Sequence, residues 1–130
     1  MKIAYISTYL PRECGIATFN DNVERAIHAN LPNETLAESG FGIAINDSED
    51  LHTTDYPDHI KLVIRQNHQK DYIKAANFIN TSDVQAVIME HEFGIYGGES
   101  GVYVLPMLHR LEKPLFSILH TVLREPSHTQ

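Results

Sequence analysis

The segment EHEFGIYGGESG, Glu90 to Gly101, places three polar side chains ahead of four glycines. Each glycine inside a helix or strand destabilises that element by about 0.5–1 kcal/mol relative to alanine, so this composition is typical of an open loop. Backbone N–H groups in such a loop can bind oxygen-rich ligands, and the polar side chains can bond to hydroxyls. A solvated, flexible turn is the alternative. The predicted ligand contacts are His91, Glu92, Gly97 and Gly98.

A second candidate site is the turn YLPRECGIA, in which Gly15 directly precedes a helical pattern. A glycine there lets the backbone approach a ligand, and a helix N-terminus carries about half a positive charge, which suits a phosphate or a sugar hydroxyl. A purely structural turn explains this glycine equally well. No Walker lysine follows, and Asn20 stands where a phosphatase loop beginning at Cys14 requires arginine. Cys14 is therefore predicted to be a packed or half-exposed residue rather than a nucleophile.

A third candidate is His120, which ends an apolar run immediately before Thr121. Histidine can donate to a substrate hydroxyl or pair with a phosphate near neutral pH; a structural histidine is the alternative. His91-Glu92 is not followed by a histidine at the HExxH spacing, so we predict no metal site. The other histidines have no evident partner in the sequence and are predicted to lie on the surface: His28, His52, His59, His68, His109 and His128.

Length and composition limit the classes of protein to which the chain can belong. A chain of 130 residues, 42% of them hydrophobic, is expected to form one core. The net charge of -7 argues against a nucleic-acid or anionic-membrane partner. The sequence has a single cysteine and no signal-peptide pattern, which favours a cytoplasmic protein. It has no apolar segment long enough to span a membrane, so any membrane association is expected to be peripheral.

Short apolar runs alternate with helical patterns along the chain. The runs are nearly continuous in hydrophobicity, as strands covered on both faces are, and the alternation predicts an α/β fold with a parallel sheet. The predicted strands are Ile3–Ile6, Phe41–Ile45, Ile60–Ile64, Val84–Met89 and Leu115–Leu119. The predicted buried helix faces are Ile16, Phe19, Val23 and Ile27; Tyr72, Ala75, Ala76 and Ile79; and Val104, Met107, Leu108 and Leu111.

Three connecting segments complete this organisation. Residues 46–59 are acidic and polar, which predicts a surface loop. Pro106 is tolerated only in a first helical turn, so the last helix is expected to begin near Val102 or Tyr103. The segment TVLREPSHTQ after the fifth strand has no helical pattern, although a doubly wound sheet normally carries a final helix there. From this we expect the 130 residues to be the front of a longer protein.

Taken together, ISTYLPRECGIATFNDNV, EHEFGIYGGESGVY and LFSILHTVLREP resemble the N-terminal half of a GT-B glycosyltransferase of family 4. The resemblance implies a single Rossmann-like domain over residues 1–130, with strand order 3-2-1-4-5 and helices on both faces. It implies an acceptor-side half of a retaining enzyme that moves a sugar from a nucleotide-sugar to a carbohydrate acceptor, without a cofactor or required metal. The donor-binding domain would lie outside this sequence.

The resemblance also implies roles for individual residues. His120 matches the histidine near the transferred sugar, and Gly15 matches the glycine loop that approaches the donor diphosphate and acceptor. The segment from His91 to Gly98 matches the acceptor side. Arg12 is the nearest candidate cation for the diphosphate, by position only. Because the basic residues and paired glutamates of the donor domain are absent, we expect these 130 residues alone to be inactive.

Two other classes of function stay open from the sequence. One is a non-catalytic carbohydrate- or nucleotide-binding α/β module that acts in assembly, with a homodimer covering the sheet face beyond Thr121. The other is a hydrolase that uses His91, Glu92 and His120. A hydrolase requires those three side chains to lie within hydrogen-bond reach of one another.

Overall fold

The computed structural model describes residues 1–31 and 36–128. The strands are β1 (Ile3–Ser7), β2 (Gly40–Asn46), β3 (Ile60–Arg65), β4 (Ala86–His91) and β5 (Leu115–Leu119). The α-helices are α1 (Gly15–Ala29), α2 (Leu36–Ser39), α3 (Gln69–Thr81) and α4 (Leu105–Arg110). Short 3₁₀ helices cover Thr53–Asp55, Phe93–Ile95 and Glu99–Val104.

The five strands form one parallel sheet in the order β3-β2-β1-β4-β5, which confirms the predicted Rossmann-like α/β arrangement. Every residue of the central strand β1 is buried, as its uninterrupted apolar sequence predicts, whereas the edge strand β5 is exposed along much of its length. The chain order reverses between β1 and β4. Because all strands are parallel, the residues that follow them meet along one edge of the sheet.

The side chains of β1 point alternately to the two faces of the sheet. Ala4 and Ile6 belong to the main apolar core, which includes buried residues of α3 and α4. The intervening Tyr5 and the following Tyr9 lie near Glu24 of α1 instead. The helices therefore cover both faces, with α3 and α4 on one side and α1 on the other.

The face of α1 that packs on the sheet differs in part from the predicted one, of which Ile16 does pack against the main core. Its buried residues are Ala17, Asn20 and Glu24, and Phe19 is 44% exposed. The Tyr9 hydroxyl donates to Glu24, and the Asn20 amide donates to the same carboxylate at 2.7 Å. Tyrosines on this face of the sheet need polar partners once buried, so the helix presents polar residues to them.

Predicted boundaries of β4 and of the last helix also change. Strand β4 begins at Ala86 rather than Val84 and ends at His91 rather than Met89, so Glu90 and His91 are strand residues. Helix α4 begins at Leu105, not near Val102, because residues 99–104 form a 3₁₀ helix in which Ser100 and Gly101 have left-handed backbone conformations. Pro106 does lie in the first turn of α4, as predicted.

Beyond β5, residues 120–128 contain neither helix nor strand, in agreement with the sequence pattern. The large apolar side chains Phe116, Leu119 and Val122 are 62%, 56% and 77% exposed, so this flank of the sheet carries an apolar surface. None of the helices within residues 1–31 and 36–128 has the length and apolar character needed to cross a membrane.

Candidate functional site

The candidate site lies where β4 and β5 end, beside the chain reversal at β1. The His120 backbone N–H donates to the carbonyl of His91 at 2.9 Å, which extends the pairing of the two strands to their last residues. Side chains alternate along a strand, so neighbouring residues at this edge face opposite sides of the sheet. The predicted site residues accordingly divide into two groups, one on each side of the edge.

On the α1 side, the imidazole of His120 pairs with the carboxylate of Glu90. His120 Nε2 and Glu90 Oε2 are 2.7 Å apart, and Glu90 is fully buried. The ring of Phe19 lies edge-on against the His120 ring, with centroids 4.9 Å apart. Phe19 is one helical turn beyond Gly15, so the first turn of α1 lies near His120.

Burial governs the electrostatics of Glu90. Desolvation raises the pKa of its carboxyl group above the ordinary value, the nearby Glu24 raises it further, and the hydrogen bond with His120 only partly opposes these effects. The second carboxylate oxygen, Oε1, is buried without a hydrogen-bond partner within the described part of the chain. The ionised form of Glu90 is therefore unfavourable in the folded protein.

Replacing Glu90 by glutamine is expected to raise the free energy of unfolding at pH 7. Because the folded-state pKa of Glu90 lies above its unfolded value of about 4.3, the stability that the neutral carboxyl provides declines as the pH rises through the folded-state pKa. Glutamine does not ionise. Urea unfolding from pH 4 to pH 7 should show the variant gaining stability relative to wild type as the pH increases. The exposed Glu112→Gln is the control, and a variant less stable at pH 7 than at pH 4 relative to wild type contradicts this expectation.

On the α4 side, His91 and Thr121 border a cleft of about 400 Å³. The His91 ring stacks on Tyr96 with centroids 5.8 Å apart and contacts the edge of Phe93. The remaining lining comes from the loop after β4, the start of α4 and the segment after β5: Ser100, Gly101, Val102, Val104, Leu105, Leu119, Val122, Leu123 and Pro126. The described lining thus combines apolar side chains with a few polar groups and contains no lysine or arginine, which suits an uncharged ligand.

Glu92 and Thr121 hold the rim of this cleft together. The Thr121 hydroxyl donates to the Glu92 carboxylate, which also accepts the backbone N–H of Phe93 at 2.9 Å. Glu92 therefore caps the 3₁₀ helix Phe93–Ile95. Its carboxylate fixes the entry to the loop and is already engaged when a ligand arrives.

The glycines of the loop have different roles. Gly97 is buried, and its N–H donates to the Tyr72 hydroxyl at 2.9 Å, so it does not offer the free N–H that we predicted. A Cβ atom added there would lie 1.9 Å from the Gln66 carbonyl oxygen. Gly98 is exposed with φ 78° and is placed where a ligand can reach it. Gly101, also with positive φ, lines the cleft.

Gln66, which follows β3, connects this loop to three other segments. Its backbone N–H donates to the Asn46 carbonyl at 2.7 Å, and its side chain donates to the Gly94 carbonyl at 3.0 Å. Its carbonyl accepts from the Tyr72 hydroxyl, and its side-chain oxygen accepts from Arg12 at 3.1 Å. The loop after β4 is therefore anchored to the ends of β2 and β3.

The turn after β1 brings only some of its predicted residues towards His120. Gly15 is exposed with open space around its Cα, and Cys14 precedes α1 with Sγ 2.9 Å from the Thr8 hydroxyl. The Arg12 guanidinium bonds to Gln66 and lies 3.5 Å from Asp47. Arg12 is thus already engaged at the ends of β2 and β3, rather than beside His120.

Two histidines predicted to lie on the surface without partners lie within ion-pairing distance of a carboxylate. His59 is largely buried, with Nε2 3.3 Å from the Glu24 carboxylate, and its ring meets Tyr9 edge-on. His68 lies 2.8 Å from Glu49. Both partners are distant in sequence, so only the fold reveals these pairs.

The hydrolase arrangement is not formed among the described side chains. His120 bonds to Glu90 rather than to Glu92, and Glu92 bonds to Thr121. Glu90 is the site residue that the sequence analysis did not assign. The sequence holds no local signal for this role, because the partner of Glu90, His120, lies 30 positions later in the chain.

No group of three or more His, Cys, Asp or Glu side chains within residues 1–31 and 36–128 could hold a metal ion. Comparison with known proteins adds no assignment: no family model, no curated protein and no solved structure matches the chain.

Proposed function

We propose that these residues form the acceptor-side domain of a retaining glycosyltransferase, whose nucleotide-sugar donor would be held by a domain outside this sequence. The observation that carries the proposal is the cleft at the ends of β4 and β5, on the edge where open parallel sheets bind ligands. His91 and Thr121 provide hydrogen-bonding groups within an otherwise apolar wall. That combination suits a saccharide, whose ring faces are apolar and whose rim carries hydroxyls.

The charge distribution favours the acceptor over the donor diphosphate. A diphosphate leaving group needs preorganised positive groups. The described cleft lining has none, and Arg12 is engaged by Gln66 and Asp47. In this proposal, the cleft binds the acceptor, His120 lies near the transferred sugar, and Gly15 lies where the donor diphosphate and acceptor approach. No cofactor and no metal take part.

The second candidate is a non-catalytic carbohydrate- or nucleotide-binding module that acts in assembly. The exposed apolar side chains Phe116, Leu119 and Val122 favour it, because large apolar side chains exposed at a sheet edge suit an interaction with another protein. A second copy of the chain or another protein would cover that flank. In this alternative, ligand binding would not be followed by sugar transfer.

A titration of the 130-residue chain with short oligosaccharides and nucleotide-sugars tests the proposal. We expect saccharide-dependent amide shifts at His91, Gly98, His120 and Thr121, and little affinity for nucleotide-sugars. Thr121→Val removes one hydroxyl from the cleft and should weaken saccharide binding about fivefold, which corresponds to about 1 kcal/mol for one hydrogen bond.

Thr81→Val is the matched control, since the Thr81 hydroxyl bonds to carbonyls of its own helix. It should leave saccharide affinity unchanged. Tight nucleotide binding by this chain alone would favour the binding-module alternative. The absence of any saccharide response at the cleft would contradict the acceptor role.

A further inference from the structure

The pair formed by Glu90 and His120 leaves part of the hydrogen-bonding capacity of Glu90 unused. Glu90 is fully buried, yet within the described part of the chain its carboxyl group makes one hydrogen bond, between Oε2 and His120 Nε2, and Oε1 has no partner. The Ser7 hydroxyl, on the neighbouring strand β1, is also buried and has no partner among the residues that the structure describes. Buried polar atoms normally have partners, so these exceptions call for an explanation.

Stability does not explain the pair. Buried ion pairs are often replaced by apolar residues of similar volume with no loss of stability, because desolvation of the charges offsets their attraction. Glu90 has in addition an unsatisfied oxygen and the nearby carboxylate of Glu24. A buried methionine at this position would fill similar space without either penalty. Glu90 is therefore better explained by what it does to His120.

The position of the imidazole is fixed on several sides. The backbone N–H of His120 donates to the His91 carbonyl. The His120 ring packs against Phe19, and its Nε2 atom lies 2.7 Å from Glu90 Oε2. The two ring nitrogens of a neutral histidine have opposite roles, and the hydrogen bond made by one determines the role of the other. Above its folded-state pKa the Glu90 carboxylate is ionised, and an ionised carboxylate can only accept a hydrogen bond.

We propose that Glu90 is a positioning residue for His120, which accepts the Nε2 proton and so presents Nδ1 as a hydrogen-bond acceptor to a hydroxyl-bearing ligand. A lone pair on Nδ1 accepts a bond from a hydroxyl, whereas an ionised phosphate oxygen has no proton to give. The pairing thus selects a hydroxyl over an anion at this nitrogen. The choice of ligand rests on the proposed function; the tautomer does not.

The test measures the tautomer directly, by long-range ¹H–¹⁵N correlation of the imidazole rings in the 130-residue chain at pH 7.5. We expect His120 to be the Nε2–H tautomer in wild type. Glu90→Met removes the acceptor and should replace this single tautomer by a mixture. Glu92→Met, at the same strand end but bonded to Thr121, should leave the His120 tautomer unchanged.

The wild-type spectrum decides the matter even if Glu90→Met fails to fold. An Nδ1–H tautomer or a mixture in wild type overturns the inference, as does a tautomer that Glu90→Met does not alter. A second arm adds short oligosaccharides or inorganic phosphate and follows the Nδ1 resonance. A response to saccharide alone supports the ligand class, and a response to phosphate alone overturns it.

The two arms also separate this inference from the proposed function. If His120 is the Nε2–H tautomer but its Nδ1 resonance does not respond to saccharide, the acceptor role and the ligand class are contradicted. The role of Glu90 in fixing the tautomer is then still supported. The wrong tautomer with saccharide binding intact contradicts the pairing alone.

Discussion

If the proposed function holds, replacing His120 by alanine in the glycosyltransferase is expected to lower kcat about 100-fold, the lower end of the range for loss of a positioned proton-transfer or hydrogen-bonding group. His120 is held by Glu90 and Phe19 at the strand edge, so its ring is in a defined position before any ligand binds. Steady-state kinetics with a nucleotide-sugar and an oligosaccharide acceptor provide the measurement. KM for the acceptor should change little if His120 acts mainly in the transition state.

His109→Ala is the control for this experiment, because His109 is an exposed residue of α4. Its kcat should equal that of wild type. A His120→Ala enzyme that turns over within twofold of wild type would remove His120 from the reaction centre. The fold of the variant can be checked from the amide spectrum of the 130-residue chain.

Replacing Gly97 by alanine is expected to destabilise the fold by about 3 kcal/mol or more. The new Cβ atom would lie 1.9 Å from the backbone carbonyl oxygen of Gln66, which cannot move without disturbing the end of β3. The shift needed to relieve that contact also weakens the Gly97 N–H bond to the Tyr72 hydroxyl. Since domains of this kind are stable by only about 5–15 kcal/mol in total, the loss is large.

Gly94→Ala is a matched control in the same loop, because an added Cβ there meets nothing within 4 Å. Its free energy of unfolding should lie within about 0.5 kcal/mol of the wild-type value. Urea unfolding followed by far-UV circular dichroism measures both variants. Equal stability of Gly97→Ala and Gly94→Ala would show that the loop does not pack against Gln66 as described.

The strands could be predicted from the sequence because a buried parallel strand leaves a continuous apolar run that needs no knowledge of its neighbours. The predicted strands Ile3–Ile6 and Leu115–Leu119 end within a residue of the observed ones. The predicted end of β4 is wrong, since Glu90 interrupts the apolar run although it lies in the strand. The presence of Glu90 inside a strand is explained by its partner His120, which lies 30 positions later in the sequence.

The same limitation explains the errors in α1. A helical pattern with Ile16 and Phe19 on one side predicts an apolar buried face, but the sheet above this helix presents tyrosines that need polar partners. His120 and Gly15 are predicted as site residues because they follow strands β5 and β1. The strand order places the residues that follow these strands along the same edge of the sheet. The role of Gly97 depended on a contact with Gln66 that local sequence does not encode.

The anchoring of the loop after β4 has a consequence for the thermodynamics of binding. Fixing one residue in a single backbone conformation costs about 1–2 kcal/mol in conformational entropy. Tyr72 bonds to Gly97 and Gln66 bonds to Gly94, so part of this ordering takes place when the chain folds. Binding of a ligand in the cleft would then include a smaller entropic cost for ordering this loop. For a weakly bound ligand such as the proposed saccharide, more of the free energy of its contacts would remain as binding free energy.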